Sequence, residues 1–361
     1  MAQLAEIDET SDDFVPGPGR GVVAFSALAF DPEAPGELIV PEFVVGQDRS
    51  GRRWLTVVDE TTLTPEQAVG RLEARLPTRN PEMDSGSSSN YTIEAVPPPD
   101  VWRDEVVRIA RDSIVDGELV KAVMSRRLVV TTDKKIDVAQ VVHNLVSVFP
   151  TAVVFNIEGF VGASPELLVA RSDDMVHSHP LAGTAPRSSE PSIDTRLIAD
   201  LLASTKDRWE HKITIDWLLD TLLPFCSYVD AEPEPSVVTL ANVHHLGTMV
   251  EGRLSRPHPS VLELVSALHP TPAVGGDPQS TALDLIDKLE GESRHRYAGP
   301  TGWVDGQGNG SFVVAIRSAE IDGTTATLRA GVGVVADSDP DAELEETRNK
   351  FRAMLHALIR P

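Results

Sequence analysis

The sequence contains a single cysteine, Cys226, and no apolar run near the roughly 18 residues that a membrane span requires. A lone thiol excludes an internal disulfide and suits a reducing cytoplasm. The lack of apolar spans argues against a membrane protein. Cations are scarce too, with 32 Lys and Arg against 55 Asp and Glu and a formal charge of −23. Phosphate backbones need clustered Lys and Arg, so this balance argues against nucleic acid. An anionic small molecule would need a local basic pocket inside a repelling field. No G-x-G-x-x-G follows a strand-like run, and P-loop, C-x-x-C and H-E-x-x-H patterns are missing, so dinucleotide and zinc chemistry have no support.

What is present suffices for a large fold: 361 residues, 41% of them apolar. Residues 1–20, acidic and Pro/Gly-rich, read as a loose tail without an apolar signal core. Residues 22–58 read as three strands parted by Pro- and Gly-bearing turns. The pattern over 64–76 predicts an amphipathic helix, with Thr64 as cap, Pro65 at its first position and Pro77 past its end. A mobile loop over 81–90 precedes a strand (90–96), a helix (101–117), a strand (121–133), a helix (137–149) and a strand (151–163).

Leu197, Leu201, Ile213, Trp217 and Leu218 recur at helical spacing and predict one long helix over 192–225. Residues 236–254 read as strand. Two short helices (261–269 and 282–291) flank the loop 270–279. A meander with Asn-Gly and Asp-Gly turns covers 302–338, and a helix over 341–359 closes the chain. Strands come in runs, without strict βαβ alternation, which points to an α+β fold with antiparallel-rich sheets flanked by helices.

Several residues carry chemical promise. Glu166 follows the turn Gly162–Pro165 and leads an apolar run. Partial burial there would raise its pKa and suit a general acid, although a Glu beside a turn is more often solvated. Asp207 and Glu210, and again Glu343 and Glu346, stand three apart on helical segments. If the two faces met, a hard divalent cation such as Mg²⁺ would suit them, taking one or two carboxylates and keeping places for water and substrate. Singly, such pairs are usually solvated surface. Lys121 precedes an apolar strand, Arg317 sits inside FVVAIRSAEI, and Lys350 is one turn beyond Glu346. A lysine in a partly dry site can serve as base and an arginine can clamp a carboxylate. A snorkelling lysine and an internally paired arginine fit the same pattern. His245 reads equally well as an interior histidine.

Nine segments in order resemble those of the chorismate-utilising enzymes: KAVMSRRL, GASPELLVAR, PLAGTAPR, STKDRWEH, VHHLGTMVEG, LHPTPAVGG, YAGPTGW, AIRSAEI and LRAGVGVVADSDPDAELEETRNK. That group includes isochorismate, salicylate, anthranilate and aminodeoxychorismate synthases. The resemblance covers about residues 100–358. It implies a two-layered α/β sandwich with the site between its halves. Residues 21–361 would form one catalytic domain, with a variable strand-rich part over 21–98 and the family core over 99–358. The substrate would be chorismate and the cofactor Mg²⁺. Glu210 and Glu346 match the direct metal ligands, and Asp207 and Glu343 match acidic positions behind them. Lys121 matches the general base and Glu166 the general acid. Arg317 and Tyr297, with Gly331 and Gly333, match the clamp on the enolpyruvyl carboxylate. Lys350 and the Gly183-Thr184 turn match the ring-carboxylate and C4 side, and His245 lines the site.

The resemblance also separates the members. Aminodeoxychorismate synthases carry a nucleophilic lysine in the turn that reads PLAGT here, and Ala182 holds that place. The tryptophan-binding motif of anthranilate synthases is not found, so no glutaminase subunit is expected. Ala273 stands where salicylate-forming relatives tend to have Thr and isochorismate-forming ones Ala. The implied activity is an isomerisation, the reversible Mg²⁺-dependent conversion of chorismate to isochorismate, carried out by a cytoplasmic monomer. Salicylate formation and an inactive binding or scaffold relative stand as alternatives. Whether the product feeds menaquinone, a siderophore or salicylate is not written in the chain.

Overall fold

The computed structural model describes Leu4 and residues 17–48, 50–76, 90–117 and 119–359. Two long neighbouring strands set the architecture. Lys121–Thr132 and Thr325–Val334 run antiparallel, with Gly333 opposite Val123 and Arg329 opposite Arg127. Side chains alternate across a strand. Ala326, Leu328 and Ala330 therefore pack against Leu145 and Phe351, contributed by the helices Val138–Val148 and Pro340–Ile359. Arg329, Gly331 and Gly333 face the opposite way, into the interior cleft region.

These strands belong to a seven-stranded antiparallel sheet that also holds Gly276–Asp277, Ser318–Asp322, Phe160–Ser164, Val153–Ile157 and Tyr91–Val96. A second seven-stranded sheet runs in the order Val23–Ala27, Pro300–Asp305, Gly310–Val314, Leu167–Ser172, Met175–His179, Val250–Leu254 and Cys226–Ala231. Leu181–Pro186, Val243–Gly247 and Ser236–Thr239 form a three-stranded sheet. The chief apolar cluster joins Met124 and Val332 of the first large sheet to Leu168 and Phe312 of the second, with Leu218 and Leu264 from covering helices. The molecule is the expected α+β fold of antiparallel sheets flanked by helices. No helix of the described residues is long and apolar enough to cross a membrane.

Local chemistry explains where the elements differ from expectation. The strand expected over 151–163 is a hairpin, turned at Glu158 (φ 49°) and Gly159 (φ 79°). Two successive left-handed residues make the tight turn that strand twist favours. The helix expected over 192–225 is two, Pro191–Ala203 and Thr205–Leu222. Ser204 leaves helical geometry (ψ 114°) and its hydroxyl accepts from Asp207 N at 3.2 Å, so apolar period alone hid a serine cap. Arg317 falls between strands, at φ 52°, and not inside one. The expected run 236–254 is three strands. The helix expected over 64–76 is Pro65–Arg75, closed at its start by a capping box between Thr64 and Gln67. The loop expected over 81–90, apart from Asn90, lies outside the described residues. So does the tail expected over 1–20, apart from Leu4 and residues 17–20; Leu4 is buried in the chief cluster.

Candidate active site

A small cleft of about 60 Å³, partly open to solvent, lies between the sheets and the two carboxylate-bearing helices. Glu166 enters it from the link between Phe160–Ser164 and Leu167–Ser172. The turn is stiff: Ser164 Oγ donates to Val314 O at 2.6 Å, and Glu166 N donates to Ser164 Oγ at 3.2 Å. The residue is 3% exposed. Burial pushes its carboxyl up to about 7, against the pull of the Leu181 amide and of Arg317, Lys121 and Lys350. Close to neutral pH, such a group can give up a proton.

The second helix after the Ser204 break carries Glu210 into the cleft, and the C-terminal helix carries Glu346. Each meets a lysine. Lys121 Nζ lies 2.9 Å from Glu210 Oε1, and Lys350 Nζ 2.6 Å from Glu346 Oε1. Lys350 also donates to Gly331 O at 2.9 Å. Lys121 is fully buried and stands behind Glu210, not in the cleft wall, held there by its ion pair with that carboxylate. Burial raises Glu210 less than Lys121, Lys350 and Lys206 lower it, leaving its carboxyl below the usual range.

Asp207 and Glu343 also lie behind the wall. Burial pushes both carboxyls up; Ser204 Oγ donates to Asp207, and Lys206 Nζ to Glu343 at 2.9 Å. Among the described residues no three His, Cys, Asp or Glu converge tightly enough to hold an ion alone. A hard six-coordinate cation needs only one or two protein carboxylates beside water and substrate. The all-oxygen pair Glu210 and Glu346, facing one cleft, fits that demand.

Another part of the cleft wall is cationic and aromatic. Arg317 and His245 are both buried, and Arg317 Nη2 donates to His245 Nε2 at 2.7 Å. The Arg317 Nε atom is buried without a hydrogen-bond partner, a donor left for an anion to accept. His245 Nδ1 lies 3.1 Å from both Gly183 O and Thr184 Oγ1. Burial, and then the charge of Arg317, hold the imidazole well below its usual pKa, hence neutral. Tyr297 is 8% exposed, and burial pushes its phenol up, hence un-ionised. Gly183, Thr184 and Ala273 complete this part of the cleft, and Gly331 and Gly333 its floor. A Cβ at Gly333 would overlap Glu210 Oε1 and push that carboxylate aside, and one at Gly331 would stand in tight contact, 3.3 Å from the Tyr297 hydroxyl.

The cleft thus brings together twelve of the fifteen residues singled out from sequence, with Lys121, Asp207 and Glu343 one layer back. Lys206 was missed, although its place one turn before Glu210 on the same helix was a legible sign. Val123, Val274 and Ile316 also line the cleft. They are ordinary apolar residues that no sequence pattern marks.

Fold and cleft together define an α+β enzyme-like site with an acid, an amine and two carboxylates around a space for a small anion. The family described as "Chorismate binding enzyme" matches residues 4–359. Over 356 residues the chain is 37% identical to the Mycobacterium tuberculosis protein provisionally named isochorismate synthase MenF, covering 94% of this chain and 87% of that one. It is 38% identical over 289 residues to the isochorismate synthase DhbC of Bacillus subtilis, covering 77% and 72%. The solved structure of MenF, the menaquinone-specific isochorismate synthase of Escherichia coli, superposes with a TM-score of 0.80 at 27% identity, covering 93% of this chain and 78% of that one. The chain belongs to the chorismate-binding enzyme family.

Proposed function

We propose that the protein is an isochorismate synthase, an isomerase that converts chorismate to isochorismate by placing a water-derived hydroxyl at C2 and releasing the one at C4. The observation that carries the reading is a buried carboxyl poised near neutrality, Glu166, in a cleft that also presents Arg317 and Glu210, with Lys121 paired behind Glu210. The relatives' names and Ala273 at the specificity position support this member of the family.

In this reading neutral Lys121 takes a proton from a water molecule, whose oxygen adds at C2. The ring double bonds shift, and the C4 hydroxyl departs as water with the proton of Glu166. One water is consumed and one released, so the reaction is a net isomerisation. Proton exchange with solvent then resets Lys121 and Glu166. Arg317 and Tyr297 hold the enolpyruvyl carboxylate, with neutral His245 fixing the guanidinium. Lys350 and the Gly183-Thr184 turn face the ring carboxylate and C4. Glu210 and Glu346 would hold Mg²⁺, with Asp207 and Glu343 behind them. A bound Mg²⁺ supplies charge neutralisation for the ring carboxylate. Residues 21–361 act as one catalytic domain, a monomer without a glutaminase subunit, and the single free cysteine accords with a cytoplasmic setting.

The test is incubation with chorismate and Mg²⁺, with and without EDTA, and product identification by mass and fluorescence. Isochorismate that disappears with EDTA is expected. Salicylate as the main product would move the chain to the salicylate-forming branch, and no chorismate consumption would leave a binding relative.

A further inference from the structure

Arg294 does not line the cleft, yet its guanidinium holds the backbone of two segments that do. Its Nη1 donates to Val274 O at 2.8 Å and its Nη2 to Val123 O at 2.6 Å. Val274 stands beside Ala273, and Val123 is two residues from Lys121; both valines line the cleft. A third segment hangs from the Arg294 backbone, because Tyr297 N donates to Arg294 O at 3.1 Å.

The guanidinium is itself fixed. Its Nε donates to Glu290 Oε2 at 3.0 Å, and Nη2 reaches the other Glu290 oxygen. Glu290 in turn receives Ser125 N at 2.7 Å and Ser125 Oγ at 2.9 Å. Phe30 covers the guanidinium, its ring centroid 4.4 Å away, and His269 Nε2 donates to Phe30 O at 2.8 Å. Arg294 and Glu290 are both almost fully buried, with side chains 2% exposed. These four hydrogen bonds, two to carbonyls and two to carboxylate oxygens, take a planar fork of donors; an ammonium group has only three. The loop keeps a separate tie to the strand, Val123 N donating to Gly275 O at 2.8 Å. Loss of the guanidinium would therefore slacken the wall without detaching it.

We propose that Arg294 is a positioning residue that sets the width of the cleft at the Ala273–Val274 wall and at Tyr297, and thereby the affinity for substrate. This rests on the reading that the substrate is chorismate. Those walls touch substrate in ground and transition states alike, so slackening them raises KM and leaves kcat nearly intact. A purely structural loss does the reverse: it lowers the folded fraction and the apparent kcat and leaves KM where it was.

The experiment is steady-state kinetics of Arg294→Lys and Glu290→Gln with chorismate, with the folded fraction measured by thermal melting. A rise in KM of about tenfold with kcat per folded enzyme within about threefold is expected. An unchanged KM in either folded variant overturns the proposal. If Arg294→Lys does not fold, Glu290→Gln, which keeps the shape and removes the guanidinium's charged partner, is judged by the same criterion. A wild-type chain that fails to consume chorismate sinks the functional reading, and this inference with it; an active wild type beside variants of unchanged KM sinks the inference alone.

Discussion

Arg317 Nη2 lies 2.7 Å from His245 Nε2, and this one contact settles which way the histidine is protonated. A guanidinium only donates, so Nε2 must accept and the ring hydrogen must sit on Nδ1. From there it is donated toward Gly183 O at 3.1 Å. Arg317 is thereby turned toward the cleft at a backbone angle, φ 52°, that a non-glycine residue adopts at a cost of about 1–3 kcal/mol. Such a cost at this place accords with a clamp for an anion. Arg317→Lys keeps the charge but loses the fork, and KM for chorismate should rise about 10- to 100-fold while Tm changes little. Initial-rate kinetics check this; an unchanged KM rejects the clamp.

Lys121 offers the sharpest test of the mechanism. Lys121→Ala removes the amine paired with Glu210 and should lower turnover by about 10²–10⁴ or more, with chorismate still bound. Product formation by chromatography and binding by calorimetry separate the two effects. Near-normal turnover would remove Lys121 from the role of base.

Glu166 links activity to pH. A proton donor must be protonated, and burial lifts this carboxyl from its ordinary 4.5 to about 7. The turnover number should therefore fall above pH 7, by about tenfold per pH unit. Stability moves with the same group. A raised folded-state pKa contributes stability that is complete below pH 4.5 and lost as pH climbs to 7. Glu166→Gln, neutral throughout, should be inactive yet melt higher than wild type at pH 8, with the gap closing by pH 5. Melting curves at both values check the sign.

Gly333→Ala should separate fold from function. The added Cβ would overlap the Glu210 carboxylate and approach Lys121 Cε at 2.9 Å. Displacing both groups should cost about 10² in kcat/KM, since catalysis tolerates little misplacement. Circular dichroism should show the fold retained. Wild-type kcat/KM in this variant would mean that Glu210 is not held where the mechanism needs it.

Ser204→Ala tests the helix break. Loss of the cap on Asp207 N should destabilise by about 1 kcal/mol. With the first turn loosened, the concentration of Mg²⁺ needed for half-maximal activity should rise several-fold. A magnesium titration decides; unchanged magnesium demand would show that the cap serves the fold alone.

Much of the fold was legible because its signals are local. Thr64 and Pro65 marked a helix start that the structure keeps, and the strand at 121–132 followed from its apolar run. The misreadings were local too. The period of Leu197 through Leu218 carried across Ser204, since a cap interrupts a helix without interrupting its apolar stripe. At Glu158-Gly159, a two-residue turn hid between two runs of strand-forming residues.

The order of nine segments in the chain was enough to decide the family and the kinds of group the cleft would hold, because side-chain chemistry is a property of the residue itself. What those groups do to one another was decided only on folding. Glu166 keeps its proton up to about pH 7 because it is buried at the meeting of two sheets. Lys121 stands behind Glu210 because strand 121–132 lies beside the glycines of strand 325–334. Arg294 holds its walls through backbone carbonyls, which every residue has and no sequence distinguishes. Burial and distance arise between residues far apart in the chain, and they exist only once the chain has closed on itself.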